Sequence, residues 1–102
     1  MKPLFQLSTR IYDKEFTIVK KSMEELESKC KVRNGFKIYE PFVKAGWTFF
    51  NLELSSEMAN NIENSGMMKN AAGFRISEQL KNFIGHFLES NGCSVRITKI
   101  DY

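Results

Sequence analysis

The side chains best suited to catalysis are two cysteines and a single histidine. His86 lies seven residues before Cys93, so a thiol–imidazole pair is one interpretation of the sequence. Nucleophilic catalysis also needs a group that orients the base, and no such residue lies next to His86. We therefore predict a protein that is not an enzyme and has no catalytic residues, with an enzyme using Cys93 and His86 as the alternative.

Metal and nucleotide motifs are missing from the sequence. Zinc sites take about four Cys, His or carboxylate ligands at short, regular spacings, whereas Cys30 and Cys93 are far apart and no Cys-x-x-Cys occurs. The glycine-rich loops that bind phosphates are also missing. We predict no metal and no cofactor, and two free cysteines, with a single disulfide as the alternative.

A different chemistry is offered by the aromatic segment that follows Gly46. In residues 47–54, Trp47 and Phe49 fall on one face of a predicted strand. A sheet covered by helices on one side leaves its second face open, and we expect both rings there, accompanied by Arg10 and Arg96. Aromatic rings among cations are typical of protein interfaces and of single-stranded nucleic-acid sites.

The same segment resembles a known nucleic-acid-binding family. Residues 46–52 resemble the longer signature of the RNA-recognition motif, with Trp47 and Phe49 at its stacking positions. Residues 4–6, Leu-Phe-Gln, resemble the shorter signature, although Ala45 stands where the family has a basic residue. The resemblance implies binding of single-stranded RNA through the open sheet face.

Composition predicts one globular domain that spans residues 1–102. The chain is 42% hydrophobic and 26% charged, with a formal net charge of +3. Residues 1–44 carry ten basic and six acidic side chains, which favours an acidic or phosphate-rich partner. No apolar run reaches membrane length and no signal peptide is evident, so we expect a cytoplasmic protein that does not bind a membrane.

The first half of the chain allows two arrangements. Residues 4–12 alternate as a half-buried strand, while residues 15–20 fit either a second strand or the start of a helix. Ser22 lies three residues before Glu25, the spacing of a capping box, so we expect a helix over residues 22–33 with a strand at residues 15–20 before it, the earlier helix start being the alternative. We expect Asn34-Gly35 to end that helix.

The second half is more regular. We expect strands at residues 36–40 and 47–54, interrupted by Pro41, and a short helix at residues 55–65 capped by Ser55 or Ser56. A loop at residues 66–73, a helix between Ser77 and Asn91-Gly92, and a strand from Cys93 to Thr98 complete the prediction.

Together these elements predict an α+β two-layer sandwich. A mostly antiparallel sheet of four or five strands carries two to three helices on one face. The element order is ββαββαβ if residues 15–20 form a strand, or the ferredoxin-like βαββαβ if they are helical.

These features predict a small regulatory protein that acts by protein–protein contact, with a protein partner, a second copy of the chain, or both. We expect the contact to involve Trp47, Phe49, Arg10, Arg96, Met67 and Met68, the methionines because flexible thioethers suit adaptable interfaces. An inhibitor or adaptor of a larger assembly, such as a small viral or mobile-element factor, fits this description. The alternative is single-stranded nucleic-acid binding by the same face, helped by Lys29, Lys31 and Arg33.

Overall fold

The computed structural model describes residues 2–69 and 71–100 and confirms the α+β class. Its elements are β1 (Leu4–Thr9), α1 (Tyr12–Cys30), β2 (Phe36–Ile38), β3 (Phe42–Lys44), β4 (Trp47–Leu54), α2 (Ser56–Asn64), α3 (Ile76–Ser90) and β5 (Arg96–Lys99).

The five strands form one antiparallel sheet in the order β2-β4-β1-β5. β3 also pairs with β4, beside its first residues, whereas β2 pairs beside its last residues. β2 and β3 are therefore two parts of one edge, which Pro41 interrupts because proline cannot donate a hydrogen bond to the ladder. The helix after β1 makes the order that of the ferredoxin-like alternative, with α2 added before α3.

All three helices cover one face of the sheet. Alternate residues of β1 and β4 point towards them, and the core is built from Phe5, Leu7, Phe50, Leu52 and Leu54 of the sheet and Val19, Met23, Leu26, Met58, Ile62, Leu80, Ile84 and Leu88 of the helices. Each of these side chains is at most 1% exposed.

The predicted strand at residues 15–20 and the predicted helix start at Ser22 are both wrong. α1 begins ten residues earlier, because burial of the helical stripe outweighs the β propensity of this segment. Ser22 lies in the middle of α1, where it is 1% exposed and accepts a hydrogen bond from Asn91 Nδ2 at 2.8 Å. Its hydroxyl thus ties α1 to the end of α3.

The predicted end of α1 at Asn34-Gly35 is also wrong. The helix ends at Cys30, and Lys31 takes the left-handed conformation with φ 56°. Gly35 is instead buried against α2, where a Cβ would collide with the side chain of Met58. Its N–H donates to Glu27 Oε2 at 2.7 Å, so this glycine serves close packing.

The later elements lie close to their predicted positions. Ser55 caps α2 by accepting from Met58 N at 3.1 Å. The described residues of the predicted loop at 66–73 lie outside the helices, and Asn70 lies outside the described residues. α3 begins at Ile76, with Arg75 rather than Ser77 at the cap position, and β5 begins at Arg96 rather than Cys93.

Candidate functional site

The face of the sheet opposite the helices carries a cluster of rings and cations. It contains the alternate residues of β4 that point away from the core, together with their neighbours on the adjoining strands. We call it the aromatic face and define it by Arg10, Lys37, Tyr39, Phe42, Lys44, Trp47, Phe49 and Arg96.

Trp47 is held by two guanidinium groups. The Cζ of Arg10 lies 4.8 Å from the centroid of the indole ring, and that of Arg96 lies 4.9 Å from it. Both distances are within the range of a cation–π contact. Arg96 belongs to β5, which is separated from β4 by β1, so the ring spans the central strand. Ser8 of β1 pairs with Arg96, and its short side chain leaves room for this contact.

Phe49 forms a second ring contact on this face. It pairs across the strands with Phe42 of β3, and the two rings stack with centroids 5.3 Å apart and an interplanar angle of 17°. Phe42 is 51% exposed. Next to this pair, Tyr39 donates to Glu53 Oε1 at 3.3 Å, and Lys37 Nζ lies 4.6 Å from its ring.

The structure therefore brings together the four sheet residues singled out in the sequence. Trp47 and Phe49 lie on the face that the helices leave open, beside Arg10 and Arg96. Both rings are half-buried, because the two guanidiniums and Phe42 cover part of them.

Positive charge on the aromatic face is unbalanced. Among the described residues, the face carries Arg10, Lys37, Lys44 and Arg96 with the carboxylate of Glu53, and Asp13 lines a depression beside Arg10. Within residues 2–69 and 71–100, the ion pair of the structure is Lys29–Glu25, at 3.5 Å on α1, so neither arginine has a carboxylate partner in that part of the chain. The face thus attracts anions.

One polar atom on the same side of β4 is also unsatisfied. Asn51 Oδ1 is buried and, among the described residues, has no hydrogen-bond partner. An unmade buried hydrogen bond costs roughly 1–3 kcal/mol. Among the described residues, the open face therefore has a buried polar atom without a hydrogen-bond partner, unlike the core.

Exposed apolar side chains also lie on the covered side of the β3–β4 hairpin, because Val43 pairs with Thr48 rather than with a residue of the aromatic face. Ala45 and Gly46 form the two-residue turn of this hairpin, with φ of 54° and 81°. Val43 of β3 is 72% exposed and Ile11, before α1, is 51% exposed. For the aromatic face, sequence analysis missed Tyr39 and Phe42, because β3 is only three residues long and its placement depends on its register with β4.

The predicted methionine contact is corrected for Met68. Its side chain is 7% exposed and belongs to the core, so it does not reach a partner. Met67 is half-buried and packs against the core, where it lines a shallow depression with Ala71, Phe83 and His86. Composition alone could not distinguish an exposed methionine from one that fills a gap.

The basic residues proposed for nucleic-acid binding do not join the aromatic face. Lys29 lies in the helical layer, with its Nζ 5.5 Å from the ring of Phe87 on α3. Lys31 and Arg33 lie just after α1, around a surface depression that Glu27 also lines. The structure places these cations with α1 and on the covered side of the sheet.

The Cys93–His86 pair is not formed either. Cys93 is 4% exposed and free, and its N–H donates to the carbonyl of Leu88 at 3.0 Å. Burial raises the pKa of its thiol to about 12, so the thiol is protonated at neutral pH. His86 is exposed on α3. Cys30 is also buried and free.

Glu15 is the one buried carboxylate on the covered side of the described chain. It is 1% exposed and accepts hydrogen bonds from Ser94 N at 3.1 Å and Ser94 Oγ at 2.6 Å. Burial raises the pKa of Glu15, but the hydrogen bonds from Ser94 and Cys93 outweigh it, and the pKa is lowered overall. By accepting these hydrogen bonds, the Glu15 carboxylate joins α1 to the segment before β5.

The described residues contain neither a metal-binding cluster nor a membrane-spanning helix. Across residues 2–69 and 71–100, there is no group of three or more His, Cys, Asp or Glu side chains that could hold a metal ion. In the same residues, every helix is too short or too polar to cross a membrane.

The chain was also compared with known proteins. No protein-family model, no curated protein and no solved structure matches it.

Proposed function

We propose that this chain is a non-enzymatic binding protein whose aromatic face docks on an acidic surface of a protein partner. The observation that carries the proposal is the cation–π contact of Trp47 with both Arg10 and Arg96, on the face that also carries the exposed Phe42. Tryptophan, tyrosine and arginine are the residues that most often dominate protein–protein binding energy. A small domain that covers a partner's surface in this way would act as an inhibitor or adaptor of a larger assembly.

Protein binding is favoured over base stacking by the central strand. The shorter signature of the RNA-recognition motif would need the ring of Phe5 on the open face, but Phe5 is 1% exposed beneath the helices. The open side of β1 instead presents Gln6 and Ser8. The exposed ring of Phe42, stacked on Phe49, adds apolar area of the kind that protein interfaces use.

Single-stranded nucleic acid is the second candidate, and the excess of cations on the face favours it. Binding to phosphates would weaken steeply as salt rises, because counterions released from the nucleic acid drive the association. The charged part of a contact with an acidic protein also weakens with salt, so nuclease treatment is the arm that separates the two candidates.

The test uses affinity capture from the native cell, with and without nuclease and at raised salt. We expect Trp47→Ala and Phe42→Ala to lose a protein partner that survives nuclease treatment. Phe74→Ala is the matched control, because Phe74 is fully exposed, at 105%, but lies in the loop before α3. Retention of every partner by Trp47→Ala would overturn the proposal.

An oligonucleotide titration separates the second candidate. Trp47 is the only tryptophan, so its fluorescence reports directly on the aromatic face. If a single-stranded oligonucleotide quenches it with a steep salt dependence, and nuclease abolishes capture, nucleic-acid binding replaces protein binding.

A further inference from the structure

We propose that Arg10 and Arg96, held against Trp47, form a receptor for one carboxylate side chain of the partner. An aspartate or glutamate would then be the specificity determinant of the docked surface. The inference rests on the proposed function and names the chemistry that the same face recognises.

The geometry leaves the hydrogen-bond donors of both arginines available. Each guanidinium carbon lies less than 5 Å from the same ring centroid, so the two are no more than about 10 Å apart. A cation–π contact engages the charge of a guanidinium and not its N–H donors, which can still donate to an anion. Those N–H groups match the two oxygens of a carboxylate.

The two positive charges near Trp47 favour the binding of an anion. Two cations near one ring repel each other, and no carboxylate among residues 2–69 and 71–100 pairs with either of them. A carboxylate placed at the edge of the indole would reduce this repulsion and accept from both side chains. Among the described residues, the nearby Glu53 already accepts from Tyr39.

The sheet also fixes the two arginines before binding. Arg96 is anchored by its pairing with Ser8, and Arg10 directly follows β1, whose last residue Thr9 pairs with Thr48. Contact with Trp47 further restrains both long side chains. Binding therefore loses less side-chain entropy than it would with unrestrained lysines.

The test compares two double variants of the full chain. Arg10→Lys/Arg96→Lys keeps both charges but removes the planar donors. Lys37→Gln/Lys44→Gln removes two charges from the same face but keeps the arginines. Binding of a hexaglutamate peptide is followed by Trp47 fluorescence and by the NMR shifts of the arginine side chains, with hexaglutamine as the uncharged control. Circular dichroism melting confirms that both variants fold.

We expect the arginine variant to bind hexaglutamate about tenfold more weakly, as for the loss of a charge-assisted hydrogen bond. The lysine variant should lose clearly less, and hexaglutamine should not bind. An equal or larger loss in the lysine variant would show a diffuse charge effect and overturn the receptor. Stronger binding of a single-stranded oligonucleotide than of hexaglutamate, lost in the arginine variant, would also overturn it and assign the arginines to phosphates.

The carboxylate receptor can be disproved while the proposed function still stands. If Arg10→Lys/Arg96→Lys captures the cellular partner as the unmodified chain does, while Trp47→Ala does not, the aromatic face remains the interface and the carboxylate receptor is wrong. If neither variant affects capture, both are wrong.

Discussion

The two faces of strand β4 differ sharply although they are built from the same eight residues. Phe50, Leu52 and Leu54 point into the core and are at most 1% exposed. Trp47 and Phe49 alternate with them and remain half-exposed on the side without helices. One strand thus supplies both the centre of the core and the centre of the candidate binding surface.

The two faces of the sheet also differ in whether their polar and charged groups have hydrogen-bond or ion-pair partners. On the covered side, Glu15 accepts from Ser94, and Ser22 accepts from Asn91. On the open side, Asn51 Oδ1 has no partner among the described residues, and the arginines lack carboxylates there. Surfaces that serve binding commonly keep such unmet interactions at some cost in stability. The open face therefore retains polar and charged groups whose interactions are unmet among the described residues, as the proposed function requires.

The largest expected effect on stability comes from truncating a side chain on the covered face. Leu52→Ala removes a side chain that is 0% exposed, and we expect a loss of about 2–5 kcal/mol in the free energy of unfolding. Phe49→Ala on the open face should cost only about 1 kcal/mol, chiefly its stacking with Phe42. Urea denaturation measures both. Equal losses would show that the two faces contribute alike to stability.

A smaller effect is expected from the buried carboxylate. Glu15→Gln should lower the free energy of unfolding by about 1–3 kcal/mol at neutral pH. Because the folded state lowers the pKa of Glu15, its charge stabilises the fold above the ordinary value of 4.5, and this stabilisation is lost as the pH falls through the lowered pKa.

The pH dependence of thermal unfolding checks this prediction. The unmodified chain should lose more stability on acidification than Glu15→Gln does. Glu24→Gln, at an exposed position of the same helix, is the control and should behave as the unmodified chain. Parallel pH profiles for Glu15→Gln and the unmodified chain would contradict the assignment.

The smallest effect is expected at the hairpin turn that carries the open face. Ala45 has φ 54°, a conformation that costs a residue with a Cβ, whereas Asn-Gly is the preferred pair for such a two-residue turn. Ala45→Asn should raise the free energy of unfolding by about 0.5–1 kcal/mol. Ala72→Asn, at an exposed loop position without positive φ, should change it little. A stability loss in Ala45→Asn would show that the turn is not strained.

Sequence patterns predicted the regular parts of the molecule because those parts depend on neighbours. The alternation in β4 assigns each residue to a face, which is why Trp47 and Phe49 were found. The Ser55 cap of α2 is equally local. In residues 15–20, by contrast, β-branched and aromatic side chains favoured a strand, and the helix is stabilised by partners remote in sequence. Ser94, which satisfies Glu15, is 79 residues away.

The candidate site was predictable to the same extent. Arg10 and Arg96 flank regular strands, so their side of the sheet could be anticipated. Phe42 could not, because its contact with Phe49 depends on a three-residue strand after Pro41. Met68 was misplaced because flexibility and composition suit a surface and a core gap equally.

The central position of β1 has a consequence for synthesis on the ribosome. Thr98 donates a hydrogen bond to the carbonyl of Gln6, 92 residues earlier, so the strand of this sheet that is translated earliest receives one of its two neighbours last. Closing so long a loop is entropically costly and slows folding. Until α3 and β5 have emerged, the apolar side of β1 lacks part of its cover, and the nascent chain exposes a sheet edge that invites misassociation.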